Sequence, residues 1–408
     1  MICGLLGEKL GHSYSPQIHK DLGGYPYHLF EKTPEELEGF LLSGVFTGIN
    51  VTIPYKKAVI PYLTELTPVA ARLGAVNTIV RREDGSLIGH NTDYFGLKML
   101  ITQSGVSLDG KKVLVLGSGG ASNTAVAVVS DLGGYPVVIS RSGPDHYGNL
   151  HLHQDASVII NTTPVGMYPK VGVSPIDLTL FHALEGVFDL IFNPARTKLL
   201  LDAMKLGIPA FNGLLMLVAQ AWESAQWFTG KAIDSQCITD IYRRLRLQTE
   251  NIILIGMPGC GKSTIACALA ERMSRSVMDS DAEIVKEHQM SIPEIFASYG
   301  EETFRQMETA VLERLGKSSG LIIATGGGCV TRSENAPALQ QNGRIYWIKR
   351  KLDDLPTEGR PLSMIHSAQE LYSKRQPMYE AFADYIIENN ASVEDAVERI
   401  LTQWEKIE

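Results

Sequence analysis

The chain has 408 residues, 44% of them apolar and 20% charged, with a formal net charge of −8. This length exceeds one ordinary core, so two or three globular domains are expected. The acidic balance, the lack of a basic run and the lack of a long apolar stretch argue against nucleic-acid and membrane partners. Without a signal-peptide pattern or paired cysteines we expect a cytoplasmic protein, and no oligomeric state is predicted.

Polar residues close several short predicted elements of the N-terminal third. Ser13 and Ser15 stand two residues apart, so an extended segment would present both hydroxyls to a carboxylate. A later strand ends in a proline turn and Lys56, and two further elements end with Asn77 and Asp93. Each feature alone also fits an ordinary role, because Asn and Asp form turns and a lone lysine is usually solvated.

The segment from Lys111 predicts a dinucleotide-binding βαβ unit. An apolar strand leads into a tight glycine turn at 117–121, a small-residue helix and a second strand. Ser122 replaces the third glycine of the fingerprint, so a turn without a ligand is the alternative. The second strand ends at 140–142 without an acidic residue. Arg141 there suits a 2′-phosphate, which favours NADP, and a solvated arginine is the alternative.

Ordered motifs from Gly7 to about Gly230 resemble shikimate dehydrogenase, including NVTIPYK, GAVNT, HNTDYFG and NTTPVGM. The resemblance implies NADPH-dependent reduction of 3-dehydroshikimate to shikimate, with Lys56 and Asp93 as the catalytic pair. It assigns substrate binding to Ser13, Ser15, Thr52, Asn77, Asp93, Phe192 and Gln220. It assigns cofactor binding to Gly117, Ser118, Gly119, Gly120, Ala121, Ser140, Arg141, Ser142, Leu190 and Gly213.

These residue types suit the reduction of a ring ketone, which needs a hydride on carbon and a proton on oxygen. A lysine and an aspartate beside the same oxygen can polarise it and relay the proton. Substrate and nicotinamide must meet face to face, so the site is expected in a cleft between two lobes. The family often has tyrosine at Phe192 and a second basic residue soon after Arg141. We therefore expect one substrate contact fewer and looser NADP selectivity.

The run from Asn251 to Thr264 contains the phosphate-binding pattern G-x-x-x-x-G-K-[ST] between an apolar strand and a helix. Such a loop turns backbone N–H groups onto phosphate oxygens, and the helix N-terminus adds positive charge. Lys262 is predicted to reach the β- and γ-phosphates and Ser263 to hold Mg²⁺. Asp279 and Asp281 follow the next strand, where an extended segment would place both carboxylates on one face.

The C-terminal third resembles shikimate kinase from Asn251 to about Tyr385, through the P-loop, F-R-x-x-E, a triple glycine, G-R-P-L and R-x-x-x-Y. The resemblance implies phosphoryl transfer from ATP to the shikimate 3-hydroxyl. It assigns catalysis to Lys262, Asp281 and Arg360, and shikimate binding to Asp281, Arg305, Gly327 and Arg375. It assigns nucleotide binding to Gly259, Cys260, Gly261, Lys262, Ser263, Thr264 and Arg360, and Mg²⁺ to Ser263 and Asp279. The stretch 349–358 is shorter than the usual lid.

The prediction is an α/β bifunctional enzyme of the shikimate pathway. Residues 1–245 form a two-lobed shikimate dehydrogenase, with a substrate lobe at about 1–95 plus 213–245 and a Rossmann-type NADP lobe at about 96–212. Residues 249–408 form a P-loop kinase, and both folds are expected to be parallel sheets flanked by helices. Two alternatives stay open: a catabolic quinate/shikimate dehydrogenase with a passenger kinase, and one half acting as a non-catalytic binding module.

Overall fold

The structure is a computed structural model that describes residues 1–11, 13–355 and 368–406. Its backbone contacts divide the chain into two compact units. Unit 1 comprises Met1–Val165, Ser174–Phe192 and Asp202–Arg244, and unit 2 comprises Gly166–Val173, Asn193–Leu201 and Leu245–Glu408. Among the helices of the described ranges, none has the length and apolar character needed to cross a membrane.

The first sheet of unit 1 has six strands in the order β2-β1-β3-β5-β6-β4. Its strands are β1 (Cys3–Gly7), β2 (Tyr27–Glu31), β3 (Gly48–Val51), β4 (Glu65–Leu66), β5 (Thr78–Arg81) and β6 (Leu87–His90). The helices within this stretch are α1 (Ser15–Gly23), α2 (Leu37–Leu42) and α3 (Pro68–Leu73).

This first sheet is mixed, whereas the sequence analysis expected parallel sheets. Strand β5 runs antiparallel to both β3 and β6. The reason is local: a tight turn joins β5 to β6, with the Arg82 N–H donating to the Ser86 carbonyl at 2.9 Å and Gly85 at φ 85°. A connection this short can join only antiparallel neighbours.

The second sheet of unit 1 has five parallel strands in the order β11-β10-β9-β7-β8. They are β7 (Lys112–Leu116), β8 (Tyr135–Ile139), β9 (Val158–Asn161), β10 (Gly186–Asp189) and β11 (Ala210–Asn212). The helices of this stretch are α4 (Asp93–Gln103), α5 (Gly120–Asp131), α6 (Lys198–Lys205), α7 (Leu214–Thr229) and α8 (Gln236–Thr249), of which α6 and α8 contribute residues to both units. The β7–α5–β8 segment is the predicted Rossmann-type unit.

Close helix packing completes unit 1. A side chain at Gly96 of α4 would meet the Met216 carbonyl of α7 at 2.6 Å, so glycine permits the contact. The first sheet buries Leu41, Phe46 and Ile49, and the second buries Val115. Helix α7, which follows the second sheet in the sequence, therefore packs against α4, which precedes that sheet.

Unit 2 is built on a five-stranded parallel sheet in the order β13-β14-β12-β15-β16. Its strands are β12 (Asn251–Ile255), β13 (Val277–Asp279), β14 (Ile322–Ala324), β15 (Gly343–Lys349) and β16 (Tyr385–Glu388). Its helices are α9 (Lys262–Met273), α10 (Ser280–His288), α11 (Ile292–Gly316), α12 (Asn335–Gln340), α13 (Ala368–Phe382) and α14 (Val393–Trp404). All five residues of β12 are buried, as its unbroken apolar run predicts.

Helix α11 is interrupted at Gly300, whose φ of 79° and ψ of 172° are not helical. This conformation is open to glycine but strained for other residues, so the helix changes direction there. The second part of α11 then carries Arg305 and Glu308, both buried, towards the sheet. Gly300 thereby lets one long segment present its polar residues to the interior.

Candidate active sites

Lys56 and Asp93 form an ion pair in unit 1. The Lys56 Nζ donates to Asp93 Oδ2 at 2.6 Å, although the two residues lie on separate elements. The turn carrying Lys56 is tied down because the Val76 N–H donates to the Lys56 carbonyl at 2.8 Å. Asp93 begins α4, and its N–H donates to Asn91 Oδ1 at 3.1 Å. The side chains are 29% and 17% exposed, so both remain within reach of solvent.

Asn77 lies beside this pair in a buried hydrogen-bond network. Its Oδ1 accepts from the Thr92 N–H at 2.7 Å, and its Nδ2 donates to Thr92 Oγ1 at 3.1 Å. Thr92 Oγ1 also lies 3.4 Å from Gln220 Oε1 on α7. The structure thus links three polar residues near Asp93, two of which, Asn77 and Gln220, the sequence named for substrate binding.

Ser13 and Ser15 stand on a turn, not on the extended segment that the sequence analysis expected. Tyr14 between them has helical angles, φ −76° and ψ −11°, and Ser15 begins α1. The Ser15 N–H donates to Ser13 Oγ at 3.2 Å, a side-chain hydrogen bond within the turn that leads into α1. The two hydroxyls are therefore set by this turn, not by the alternation of a strand.

Thr52 and Phe192 are the remaining substrate-binding predictions in unit 1. Thr52 follows β3, and its N–H donates to the Leu6 carbonyl at 2.9 Å. Phe192 follows β10 and packs against Tyr14, with ring centroids 5.9 Å apart and planes tilted by 55°. Phe192 therefore contributes an aromatic wall close to the Ser13–Ser15 turn.

The glycine turn after β7 has the geometry of a nucleotide cradle. Gly117 has φ 107°, and a side chain there would meet Thr162 Oγ1 at 2.8 Å. At Gly119 and Gly120 an added Cβ would meet nothing within 4 Å, so the turn opens onto free space at the start of α5. Backbone N–H groups at a helix N-terminus suit a pyrophosphate, and Ser118 and Ala121 lie in the same turn.

The remaining cofactor-binding predictions of unit 1 follow other strands of the second sheet. After β8, Ser140 is buried and its N–H donates to the Asp145 carbonyl at 3.1 Å, whereas Arg141 and Ser142 are exposed. Gly213 sits against Leu190, where a side chain would come within 2.1 Å of the Leu190 carbonyl. An exposed Arg141 at the end of β8 is free to meet an anionic group, which fits a 2′-phosphate.

Unit 2 contains a pocket of about 460 Å³ at the carboxyl edge of its parallel sheet. The polar residues that line it come from the P-loop, the start of α10, the second part of α11 and α13. They are Lys262, Ser263, Asp279, Asp281, Arg305, Glu308 and Arg375, and Thr325 lines the pocket after β14. Each has a role predicted from the sequence except Thr325 and Glu308, of which Glu308 belongs to the F-R-x-x-E motif.

The P-loop is closed around its lysine. Lys262 is 8% exposed, and its Nζ donates to the carbonyls of Gly256 at 2.9 Å and Met257 at 3.0 Å. Gly259 and Gly261 have φ of 82° and 100°, which a side chain would strain. Cys260 is buried, and its carbonyl accepts from Asn389 Nδ2 at 2.7 Å. Thr264 lies in the first turn of α9.

Ser263 and Asp279 form the oxygen-donor pair of the pocket. The Ser263 hydroxyl donates to Asp279 Oδ2 at 3.0 Å. Asp279 Oδ1 accepts from the N–H groups of Asp281 and Ala282 and caps α10. Asp279 and Asp281 therefore do not share one extended face as expected, because the chain turns into a helix after Asp279. A hydroxyl beside a carboxylate is a donor set that suits Mg²⁺.

The buried Glu308 and the half-buried Asp281 are two carboxylates that converge on Gly326. A side chain at Gly326 would come within 2.5 Å of Asp281 Oδ1 and 2.6 Å of Glu308 Oε1. Neither of these oxygens has a hydrogen-bond partner among the described residues. Burial, together with the nearby Glu308 and Asp279 carboxylates, raises the pKa of Asp281 to about 6. The pocket therefore holds acceptor oxygens ready for a donor.

Two buried arginines face the same pocket. Arg305 Nη1 donates to Glu308 Oε2 at 2.6 Å, and its guanidinium lies over Gly328, where no side chain would fit. Arg375 Nη1 donates to the Gly327 carbonyl at 3.1 Å, and the buried Tyr379 hydroxyl donates to the same carbonyl. Tyr379, which the sequence analysis recorded only as a motif residue, helps hold the Gly327 peptide. Arg360 lies outside the described residues.

The fold and these two sites define a two-part α/β enzyme, with a Rossmann-type oxidoreductase in unit 1 and a P-loop phosphotransferase in unit 2. The family model for the shikimate dehydrogenase substrate binding domain matches residues 5–79, and the model for shikimate kinase matches residues 258–405. Shikimate dehydrogenase (NADP(+)) of Methanococcus maripaludis is 37% identical over 261 residues, covering 57% of this chain and 93% of that protein.

Solved structures agree with these matches. A Clostridium acetobutylicum chorismate mutase/shikimate 5-dehydrogenase fusion protein has a TM-score of 0.57 at 37% identity, covering 60% of this chain and 96% of its own. Shikimate 5-dehydrogenase of Thermus thermophilus, solved with NADP(H) and shikimate, has a TM-score of 0.55 at 30% identity, covering 60% and 99%. The chain belongs to the shikimate dehydrogenase family and carries a C-terminal shikimate kinase domain, which makes it a bifunctional enzyme of the shikimate pathway.

Proposed function

We propose that residues 1–245 reduce 3-dehydroshikimate to shikimate with NADPH, and that residues 249–408 phosphorylate the 3-hydroxyl of shikimate with ATP. The observation that carries the proposal is the presence of two separate sets of predicted catalytic residues in one chain. One is the Lys56–Asp93 ion pair at 2.6 Å, and the other is the P-loop pocket that brings Asp281 near Lys262. The product of the first reaction is the substrate of the second.

In the reduction, Lys56 and Asp93 are the acid–base pair. Lys56 Nζ is a proton donor for the ketone oxygen, and Asp93 holds the ammonium in place and exchanges the proton with solvent. Asn77 and Gln220 orient the ring hydroxyls, Thr52 lies beside them, and the Ser13 and Ser15 hydroxyls bind the carboxylate. The chain order of these residues brings loops after several strands to one edge of the first sheet.

The cofactor of the reduction fits the residues present. The Gly117–Ala121 turn offers N–H groups to the pyrophosphate, and the exposed Arg141 with Ser140 and Ser142 offers a site for the 2′-phosphate. Leu190 and Gly213 would lie against the nicotinamide, and their backbones are in contact because Gly213 has no side chain. NADPH supplies the hydride when bound.

In the phosphorylation, Arg305 and Arg375 bind the shikimate carboxylate and Asp281 accepts a hydrogen bond from the reacting hydroxyl. The Gly327 N–H adds a further contact to the substrate. Ser263 and Asp279 hold Mg²⁺, and Lys262 with the P-loop N–H groups binds the nucleotide phosphates. Catalysis in this half depends chiefly on positioning and charge stabilisation. Asp281 Oδ1 is buried and has no hydrogen-bond partner among the described residues, so it can accept a hydrogen bond from the reacting hydroxyl and hold it in place.

A single coupled assay tests the proposal. Purified protein receives 3-dehydroshikimate, NADPH, ATP and Mg²⁺, and the products are identified by mass. We expect shikimate 3-phosphate, and the Asp281→Asn variant should accumulate shikimate while consuming NADPH at the wild-type rate. Failure of the wild-type chain to oxidise NADPH or to form the phosphorylated product would disprove the corresponding half.

A further inference from the structure

A buried chain of hydrogen bonds lies behind the substrate residues of unit 1. The Tyr27 hydroxyl on β2 donates to Asn50 Oδ1 on β3 at 2.7 Å. Asn50 Nδ2 in turn donates to Thr78 Oγ1 on β5 at 3.2 Å and lies 3.4 Å from the Asn77 carbonyl. Asn50 is only 5% exposed and Thr78 is fully buried, so the centre of this hydrogen-bond network is shielded from bulk water, while Tyr27 is partly exposed.

The far end of this chain is the Asn77 amide. Thr78 Oγ1 donates to Asn77 Oδ1 at 3.1 Å, and the Thr92 N–H donates to the same oxygen at 2.7 Å. The Thr92 N–H can only donate, so the opposite orientation of the Asn77 amide would place its NH₂ group against that donor. The Thr78 hydroxyl, which accepts from Asn50 Nδ2, adds a second hydrogen bond to Oδ1, so Asn50 supports the orientation of Asn77 through Thr78.

The near end of the chain is Ser15. The Tyr27 hydroxyl interacts with the Ser15 side chain as well as with Asn50. The Tyr27 ring is held by His19 of α1, which stacks on it with centroids 4.1 Å apart and planes within 9°. His19 Nδ1 lies 2.6 Å from the Tyr25 hydroxyl, so the ring that supports Tyr27 is itself fixed.

We propose that Tyr27 is a positioning residue for substrate recognition by the dehydrogenase, because its hydroxyl joins Ser15 at one end of the hydrogen-bond network to Asn50 and, through Asn50, to Asn77 at the other end. The proposal rests on the proposed roles of Ser15 and Asn77. The Tyr27 hydroxyl then orients two groups before substrate arrives. These are the Ser15 hydroxyl, which binds the substrate carboxylate, and the Asn77 amide, which binds a ring hydroxyl. Such pre-organisation acts on substrate binding more than on the proton transfer at Lys56 and Asp93.

The test compares Tyr27→Phe with Tyr25→Phe in the full chain. Each variant removes one hydroxyl from the cluster around His19. The Tyr27 hydroxyl contacts Ser15 and Asn50 directly, whereas the Tyr25 hydroxyl bonds to His19 and reaches Asn50 through that ring. At saturating NADP⁺, Tyr27→Phe should raise the KM for shikimate about fivefold and change kcat by less than twofold. Tyr25→Phe should leave the KM within twofold, and both variants should keep the wild-type kinase KM for shikimate.

A KM for Tyr27→Phe within twofold of wild type, or an equal rise for Tyr25→Phe, would overturn the positioning role. If thermal unfolding shows that Tyr27→Phe is too unstable to assay, Asn50→Ala tests the same link from its centre and should raise the KM at least as much. Absence of shikimate oxidation by the wild-type chain would count against the proposed function itself, and so is distinguishable from a failure of the Tyr27 proposal.

Discussion

The two candidate catalytic centres differ in how their carboxylates are paired. In unit 1, Lys56 and Asp93 neutralise each other, and both side chains keep some contact with solvent. In unit 2, Asp281 and Glu308 each have a buried oxygen without a partner among the described residues. A carbonyl reduction needs a proton that solvent can replace, whereas phosphoryl transfer needs a hydroxyl held still in a site shielded from water.

The two centres also differ in how they are expected to bind one carboxylate. Unit 1 offers the hydroxyls of Ser13 and Ser15, on a turn in which the Ser15 N–H donates to Ser13 Oγ. Unit 2 offers the buried guanidinium groups of Arg305 and Arg375, of which Arg305 is already paired with Glu308 at 2.6 Å. Hydroxyl donors are neutral and need no counter-ion. A buried guanidinium, in contrast, requires a nearby carboxylate, because an unpaired buried charge is destabilising. Glu308 meets that requirement.

The largest effect is expected from Lys262→Met. Loss of the buried Lys262 ammonium removes the positive charge that is predicted to reach the β- and γ-phosphates. Kinase kcat should therefore fall about 10³-fold. Dehydrogenase activity should stay within twofold, because Lys262 belongs only to the unit 2 pocket. Lys286→Met on the exposed face of α10 is the control and should leave both activities unchanged. Steady-state assays of both reactions measure the effect, and a parallel fall of both would mean that the sites are not independent.

Lys56→Met should produce the reciprocal effect. Removing the acid of the Lys56–Asp93 pair should lower dehydrogenase kcat about 10²-fold, as is usual for loss of an acid–base group. The neighbouring and exposed Lys57→Met is the matched control. Kinase activity is the reference for correct folding of the chain. A dehydrogenase rate within threefold of wild type would show that another group donates the proton.

The stability of unit 1 should fall at acid pH because of His19. Burial lowers the pKa of His19 to about 3 from its usual 6.5. The unfolded chain therefore binds the proton first, and stability present above pH 6.5 is lost as the pH falls towards 3. The loss is about 1.4 kcal/mol per pH unit, or about 2 kcal/mol at pH 5. Urea unfolding at a series of pH values, monitored by hydrogen exchange in α1, measures this loss of stability. His19→Gln should remove this part of the pH dependence of the free energy of unfolding. An unchanged slope would contradict this account.

The smallest effect concerns the backbone contact at Gly213. An added Cβ would come within 2.1 Å of the Leu190 carbonyl, which cannot move away like a flexible side chain. Gly213→Ala should destabilise unit 1 by about 1–3 kcal/mol and weaken NADPH binding. Gly39→Ala, where an added Cβ meets nothing within 4 Å, should be neutral or slightly stabilising. Thermal unfolding and cofactor titration distinguish the two variants, and equal behaviour would show that the Gly213 contact is dispensable.

The chain order of short motifs was enough to predict the two-part architecture, the Rossmann-type unit and the P-loop. The reason is that a glycine turn between a buried strand and a helix is specified locally, by residues adjacent in the chain. The same local logic failed at Asp279, which became a helix cap, and at Ser13 and Ser15, which lie on a turn. In both cases a nearby backbone N–H competed for the side-chain oxygen, and a helix began where a strand was expected.

What the sequence by itself determined is therefore the family of each half and the glycine loops that define its fold, and it predicted which side chains react. Only the tertiary structure decided which groups meet: Asp281 with Glu308 across Gly326, and Ser15 with Asn50 through Tyr27. These meetings join residues that are distant in the chain. They depend on how strands and helices pack, and in the first case on a glycine with no side chain to keep two carboxylates apart.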